Sequence, residues 1–202
     1  MLEETQDQKT SGRDTEEHCD ICAQRVGGEH PHVVDLKTRR LLCACRACHF
    51  LFGAGGEKYR SVPGECFHAP DLMISNLQWD RLEIPVGIAF FFFNSSARRT
   101  VAFYPSPAGA MESLLPLDAW NDIAMASPRL RGLLPDVQAL LVRKTGDGFD
   151  CYIVPIDACY ELVGLIRLGW RGFDGGEKVR ADIESFFARL RARSGNPAQS
   201  AA

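Results

Sequence analysis

Two Cys-x-x-Cys pairs, Cys19–Cys22 and Cys45–Cys48, lie near the amino terminus with 22 residues between them, and no other feature constrains the chain as strongly. Each pair can close a tight knuckle in which two thiolates face one ion from a single loop. Two knuckles complete a four-sulfur tetrahedron only if the chain between them doubles back. The intervening segment "HVVDLKTRRLLCAC" has that capacity: it predicts a hairpin with strands over 33–36 and 40–44 joined at 37–39. Spacing, knuckle chemistry and hairpin together predict a zinc-ribbon or rubredoxin-like four-cysteine module over residues 18–52.

The distribution of metal-binding residue types points the same way. All five histidines and six of the eight cysteines fall within the first 68 residues, whereas the rest of the chain holds only Cys151 and Cys159. Residue types used only to fill a core would be spread more evenly, so the N-terminal third reads as built around coordination. Cys19, Cys22, Cys45 and Cys48 are the expected ligands. Cys43 is an alternative for the fourth place, because alternation along a strand through residues 41–45 would turn it to the same side as Cys45. Cys66 and the histidines at 18, 30, 32 and 68 are weaker candidates that read first as ordinary surface or packed side chains. Four thiolates suit zinc and also the single iron of a rubredoxin, and ligand softness does not separate them. Zinc is the first reading and iron its alternative. Cys45-x-x-Cys48-His49 has the pattern of covalent haem attachment, but haem would leave the first pair unexplained, so His49 is read as a flanking residue.

Beyond the module the sequence predicts an α+β fold. Residues 53–70, opening on "GAGGEKYRSVPG", read as a connection. Over 71–193, "LEIPVGIAFFFF" and "RTVAFYP" flank "NSSA" as one antiparallel hairpin, and "VQALLVRK" and "FDCYIVP" flank "TGDG" as another. Residues 111–125 between them read as a helix with Leu117, Trp120 and Ala124 on one side. A fourth segment, capped by Asp157 and running to Leu168, is apolar nearly all round, with Gly164 permitting close approach. A last helix, starting from a capping box of Asp174 and Glu177, presents Val179, Ile183, Phe186, Phe187 and Leu190. The expected architecture is an antiparallel sheet with helices packed on one face. Residues 1–17 and 194–202 read as disordered ends.

Composition narrows the function classes. A formal net charge of −3 and a pI near 6.0 give no basic excess for neutralising phosphates, so no nucleic-acid partner is expected. The densest apolar run, "IPVGIAFFFF", has the length of a strand rather than of a membrane span. The polar start "MLEETQDQKT" is unlike a secretory leader, and a cytoplasmic location with cysteines serving as ligands or buried thiols is expected. The repeated "GGEK" at 55–58 and 175–178 lacks phosphate-loop spacing and reads as turn chemistry. Cys159, near a helix start, has no histidine in its own part of the chain to act as base and reads as a buried inert thiol. Cys66 and His68 are too close in sequence for nucleophile–base geometry unless their loop is rigid.

The segments "HCDICAQRVGGEHPHVVDLKTRRLLCACRACHFLF", "IPVGIAFFFF", "PIDACYELVGLIR" and "GWRGFDGGEKV", covering most of residues 18 to 190, resemble an uncharacterised bacterial family. The genes of that family accompany actinobacterial-type, oxygen-tolerant nickel–iron hydrogenases. The resemblance implies a cytoplasmic accessory protein whose partner is a hydrogenase subunit or maturation factor, and it transfers no catalytic residue. It places Cys19, Cys22, Cys45 and Cys48 in the paired-cysteine motif, with Cys43 also within it, and an apolar residue where this chain has His49. The expected role is therefore non-enzymatic, with self-association left open. The competing roles are an iron electron carrier and a Cys-x-x-Cys thiol redox protein.

Overall fold

The computed structural model describes residues 17–53, 56–113, 118–146, 148–171 and 176–195. Strands β1 (His32–Asp35) and β2 (Arg40–Cys43) form the expected hairpin, with Asp35 opposite Arg40 and His32 opposite Cys43. The Asp35 carboxylate holds the turn by accepting from the backbone N–H groups of Lys37 and Thr38 at 2.9 and 3.0 Å. Helix α1 (Arg46–Gly53) follows, then β3 (Tyr59–Ser61) and β4 (Phe67–His68). The stretch 53–70, expected to be a connection only, thus contributes two strands. β3 pairs with β1 to complete a three-stranded sheet, and β4 joins the larger sheet. Gly53 is required where α1 meets β3, because a Cβ there would fall 1.3 Å from Ser61 Oγ.

The remaining elements are α2 (Asn76–Arg81), β5 (Ile88–Asn94), β6 (Arg99–Ser106), β7 (Gly109–Glu112), α3 (Asp118–Ala126), α4 (Pro128–Arg131), β8 (Gln138–Thr145), β9 (Gly148–Pro155), α5 (Ile156–Gly169) and α6 (Gly176–Arg193). Strands β4-β9-β8-β5-β6-β7 form one antiparallel sheet, so both expected hairpins are present. The segment expected to be helical over 111–125 divides: Met111 and Glu112 belong to β7, and the helix begins at Asp118. Leu117 lies outside the described residues, as does Asp174 with the capping box expected there.

Helices cover both faces of the large sheet, not one as the sequence suggested. The alternation along β5 explains why. Phe90 and Phe92 face a core closed by α5 and α6 through Leu162, Ile166, Phe186 and Leu190. Ala89 and Phe91 face a second core, closed by Trp79 of α2, Trp120 and Ile123 of α3 and Leu130 of α4. A run of consecutive phenylalanines cannot display period-two polarity when both faces are buried. The central strands therefore gave no signal of which side carried helices.

Two further expectations are corrected at α5. Its N-cap is Pro155, and Asp157 lies in the first turn, where its Oδ1 accepts from the N–H of Ala158 at 2.8 Å. The close approach is made at Gly169, where a Cβ would sit 2.7 Å from Val179 Cγ2, whereas nothing lies within 4 Å of a Cβ at Gly164. Gly164→Ala is therefore expected to stabilise the protein by about 0.5–1 kcal/mol through helix propensity. Gly169→Ala is expected to cost about 1–3 kcal/mol through overpacking against the buried Val179. Urea midpoints of the two variants should move in opposite directions.

Asp136 ties the two sheets together. It is buried with a left-handed φ of 65°, and its carboxylate accepts from Ser95 N and from Arg60 Nη1, both at 2.9 Å. Arg60, in β3, also donates to Pro135 O at 2.9 Å. Asp136→Ala removes the carboxylate partner of Arg60, which keeps only Pro135 O, and leaves Ser95 N–H without its acceptor, and should cost about 2–3 kcal/mol in denaturant unfolding.

Candidate metal centre

The hairpin brings the two knuckles to one place. Cys19, Cys22, Cys45 and Cys48 each offer a sulfur, and the four sulfurs lie within 4.8 Å of one another. Cys22 Sγ and Cys45 Sγ are 3.7 Å apart. Sulfurs about 2.3 Å from a tetrahedral ion are separated by about 3.8 Å along each edge, so the separation matches a coordination edge. The four residues could hold a metal ion. Cys19, Cys45 and Cys48 are buried and Cys22 reaches the surface.

Local backbone geometry sets this arrangement. In the first knuckle Ala23 N donates to Cys19 O at 2.8 Å and Ala23 takes φ 61°, which turns the chain back after Cys22. In the second, Cys48 N donates to Cys45 Sγ at 3.4 Å. The pair Cys45–Cys48 lies at the start of α1, where the helix dipole favours negative charge. The first knuckle is pinned to the hairpin by Asp20, whose N–H donates to Cys43 O at 2.8 Å and whose Oδ2 accepts from Cys43 N at 2.7 Å.

The electrostatics of the cluster call for a cation. Burial alone would raise the Cys19 thiol, but the backbone N–H groups of Cys45, Cys22 and Ile21 outweigh it and bring the group down to about 6. Cys48 moves the other way, raised by burial and by the adjoining Cys22, Cys45 and Cys19 sulfurs. One thiolate is thus readily formed, while the thiols of Cys22 and Cys48 are held up by the sulfurs beside them. A divalent cation offsets that effect.

Cys43 does not join these four. β2 ends at Cys43, so strand alternation does not carry through to Cys45. Cys43 groups instead with His30 and His32, one ligand atom of each lying within 4.8 Å of the others. The expected hairpin, with strands over 33–36 and 40–44, sets Val33 opposite Cys43; the observed register is shifted by one residue and sets His32 there, which brings this second group together. His49 Nε2 lies 3.2 Å from the carbonyl oxygen of Val62, and the His68 ring packs on Tyr152 at 4.9 Å. Cys66 and Cys159, the latter within α5, are buried in the core that α5 and α6 close, and burial raises both thiols. Among the described residues no helix is long and apolar enough to cross a membrane.

No curated protein and no solved structure matches the chain. A family model does match, over residues 18–194, a span holding both cysteine pairs, the three-stranded sheet and the six-stranded sheet. The chain accordingly belongs to the family of unknown function DUF5947.

Proposed function

We propose that the four cysteines hold a structural zinc ion and that the protein is a non-enzymatic, cytoplasmic accessory of a nickel–iron hydrogenase system. The observation that carries the zinc reading is the closed set of four sulfurs with a 3.7 Å edge between Cys22 and Cys45. A closed four-sulfur site leaves no coordination position for a substrate, so its metal is architectural. Its binding energy becomes folding energy for a hairpin and one short helix that have little core of their own. That core is six buried residues, three of them the cysteines Cys19, Cys45 and Cys48.

The partner reading draws support from α1, which begins at the second knuckle and carries Phe50 and Leu51 at 63% and 74% exposure. Neighbouring large apolar side chains left in water are characteristic of a docking surface. The metal would fix the helix that presents them, and a hydrogenase subunit or maturation factor is the proposed occupant.

Deleting the gene under conditions that induce the hydrogenase tests the biological role. Loss of assembly or activity, restored by the natural chain but not by a Phe50/Leu51 double alanine variant, is the expected result. Unchanged assembly and activity overturn it. An absorption spectrum of the purified protein tests the ion: zinc thiolate is silent in the visible range, whereas an iron–thiolate centre, the electron-carrier alternative, is strongly coloured.

A further inference from the structure

We infer that His30, His32 and Cys43 form a second metal site, separate from the four-cysteine cluster, which binds a late first-row divalent cation through three protein ligands and leaves a fourth position open. The site goes beyond the proposed structural zinc and does not depend on it.

Geometry puts the three together. His32 and Cys43 are directly opposed partners in the β1–β2 ladder, so their side chains share a face, and His30 precedes His32 by two residues. One ligand atom from each lies within 4.8 Å of the others. The two imidazole rings are 4.8 Å apart, centroid to centroid.

The hydrogen bonds fix which nitrogens are free. The His30 side chain is only 7% exposed, and its Nδ1 donates to Gly27 O at 2.8 Å, with Glu17 Oε2 at 3.4 Å from the same nitrogen. Its Nε2 is buried and has no hydrogen-bond partner among the described residues. With the proton on Nδ1, Nε2 carries a lone pair into a space where no donor meets it. Buried imidazole nitrogens are ordinarily satisfied, and a lone pair left without a donor is what a metal ligand presents before its ion arrives.

His32 shows the complementary arrangement. Its Nδ1 lies 2.9 Å from Asp157 Oδ2, and the second Asp157 oxygen is held by Ala158 N at 2.8 Å. A carboxylate that accepts from one ring nitrogen sets the tautomer, orients the ring and makes the other nitrogen a better donor to a metal. Asp157 sits in α5, 125 residues along the chain from His32. An ion bound here would therefore tie the hairpin to the main body of the protein.

The donor set identifies the class of ion. Two imidazoles and one thiolate suit zinc, cobalt, nickel or copper and disfavour magnesium or calcium. Three protein ligands with an open position differ from the closed four-sulfur cluster: the ion here could accept water, a small anion or a partner's side chain.

The test is a Co(II) titration of the full chain, reduced and stripped of metal, followed by its absorption. Two equivalents are expected, with the ligand-field bands of the second distinct from those of the four-sulfur site. His30→Ala and Cys43→Ala should each abolish the second equivalent and keep the first. Cys22→Ser should do the reverse, which separates failure of this site from failure of the four-cysteine reading. Saturation of the natural chain at one equivalent overturns the inference. So does a second equivalent that persists in both His30→Ala and Cys43→Ala, since it would then bind elsewhere. The stoichiometry of the natural chain decides the matter even if a variant does not fold.

Discussion

Cys22→Ser is expected to abolish metal binding at the four-cysteine cluster and to unfold the two knuckles and α1 while the β1–β2 hairpin, packed on the main core, and the large sheet stay folded. Cys22 is the exposed member of the four, so the hydroxyl meets no steric obstacle, and the loss is one of coordination rather than of packing. A serine hydroxyl does not ionise near neutral pH and cannot replace a thiolate. Losing a direct ligand should weaken binding by more than the roughly 10- to 100-fold that outer-sphere changes cost. Metal binding in such sites is worth on the order of 10 kcal/mol. The module's own core without it is small and half made of these cysteines, so the knuckles and α1 have little else to hold them, whereas the hairpin also packs on the main core through Val34. Hydrogen exchange should show protection lost in the first knuckle and α1 and kept in β1, β5, β8 and β9. Chelation of the natural chain should reproduce the pattern. Unchanged protection in the first knuckle and α1 of the variant would mean that packing, not coordination, supports them.

Phe91→Ala is expected to give the largest loss of global stability of any single truncation proposed here, about 3–5 kcal/mol. Phe91 is fully buried on β5, which lies between β6 and β8 in the large sheet. Its ring stacks on Trp120 with centroids 4.5 Å apart and planes 10° from parallel. The truncation removes the transfer energy of the ring, opens a cavity and leaves one face of Trp120 without its partner. Natural domains are stable by only about 5–15 kcal/mol, so the variant should melt roughly 10 °C lower. Phe93→Ala is the control. It is on the same strand and 39% exposed, and its effect should stay near 1 kcal/mol or below. Equal losses at 91 and 93 would contradict the burial of Phe91 against Trp120 as the source of the effect.

What the sequence revealed depended on whether a signal was local. The paired cysteines, the β1–β2 hairpin and the β5–β6 and β8–β9 hairpins rest on spacing and turn residues a few positions apart, and all were legible. The helix stripe at Val179, Phe186, Phe187 and Leu190 was legible for the same reason. β3 and β4 were not, being three and two residues long and defined by their partners rather than by their own residues. Placing helices on both faces required knowing that Phe90 and Phe91 point into different cores, which a continuous apolar run conceals. Gly164 and Gly169 look alike in sequence, and only the packing of α6 against α5 separates them. At the candidate metal centre the set of four cysteines came from spacing, whereas the grouping of Cys43 with His30 and His32 needed the observed register, which sets His32 opposite Cys43. The part of Asp157 is invisible to any local reading, because it reaches His32 across the whole fold.

X-ray absorption at the zinc edge, on stripped protein given one equivalent of zinc, reads the donor atoms of the four-cysteine cluster themselves. Four thiolates outcompete a site with one thiolate and two imidazoles for a single ion, so a shell of four sulfurs at about 2.3 Å with no nitrogen or oxygen in it is expected. A shell containing nitrogen or oxygen, or a chain that takes up no zinc, would contradict the four-cysteine site.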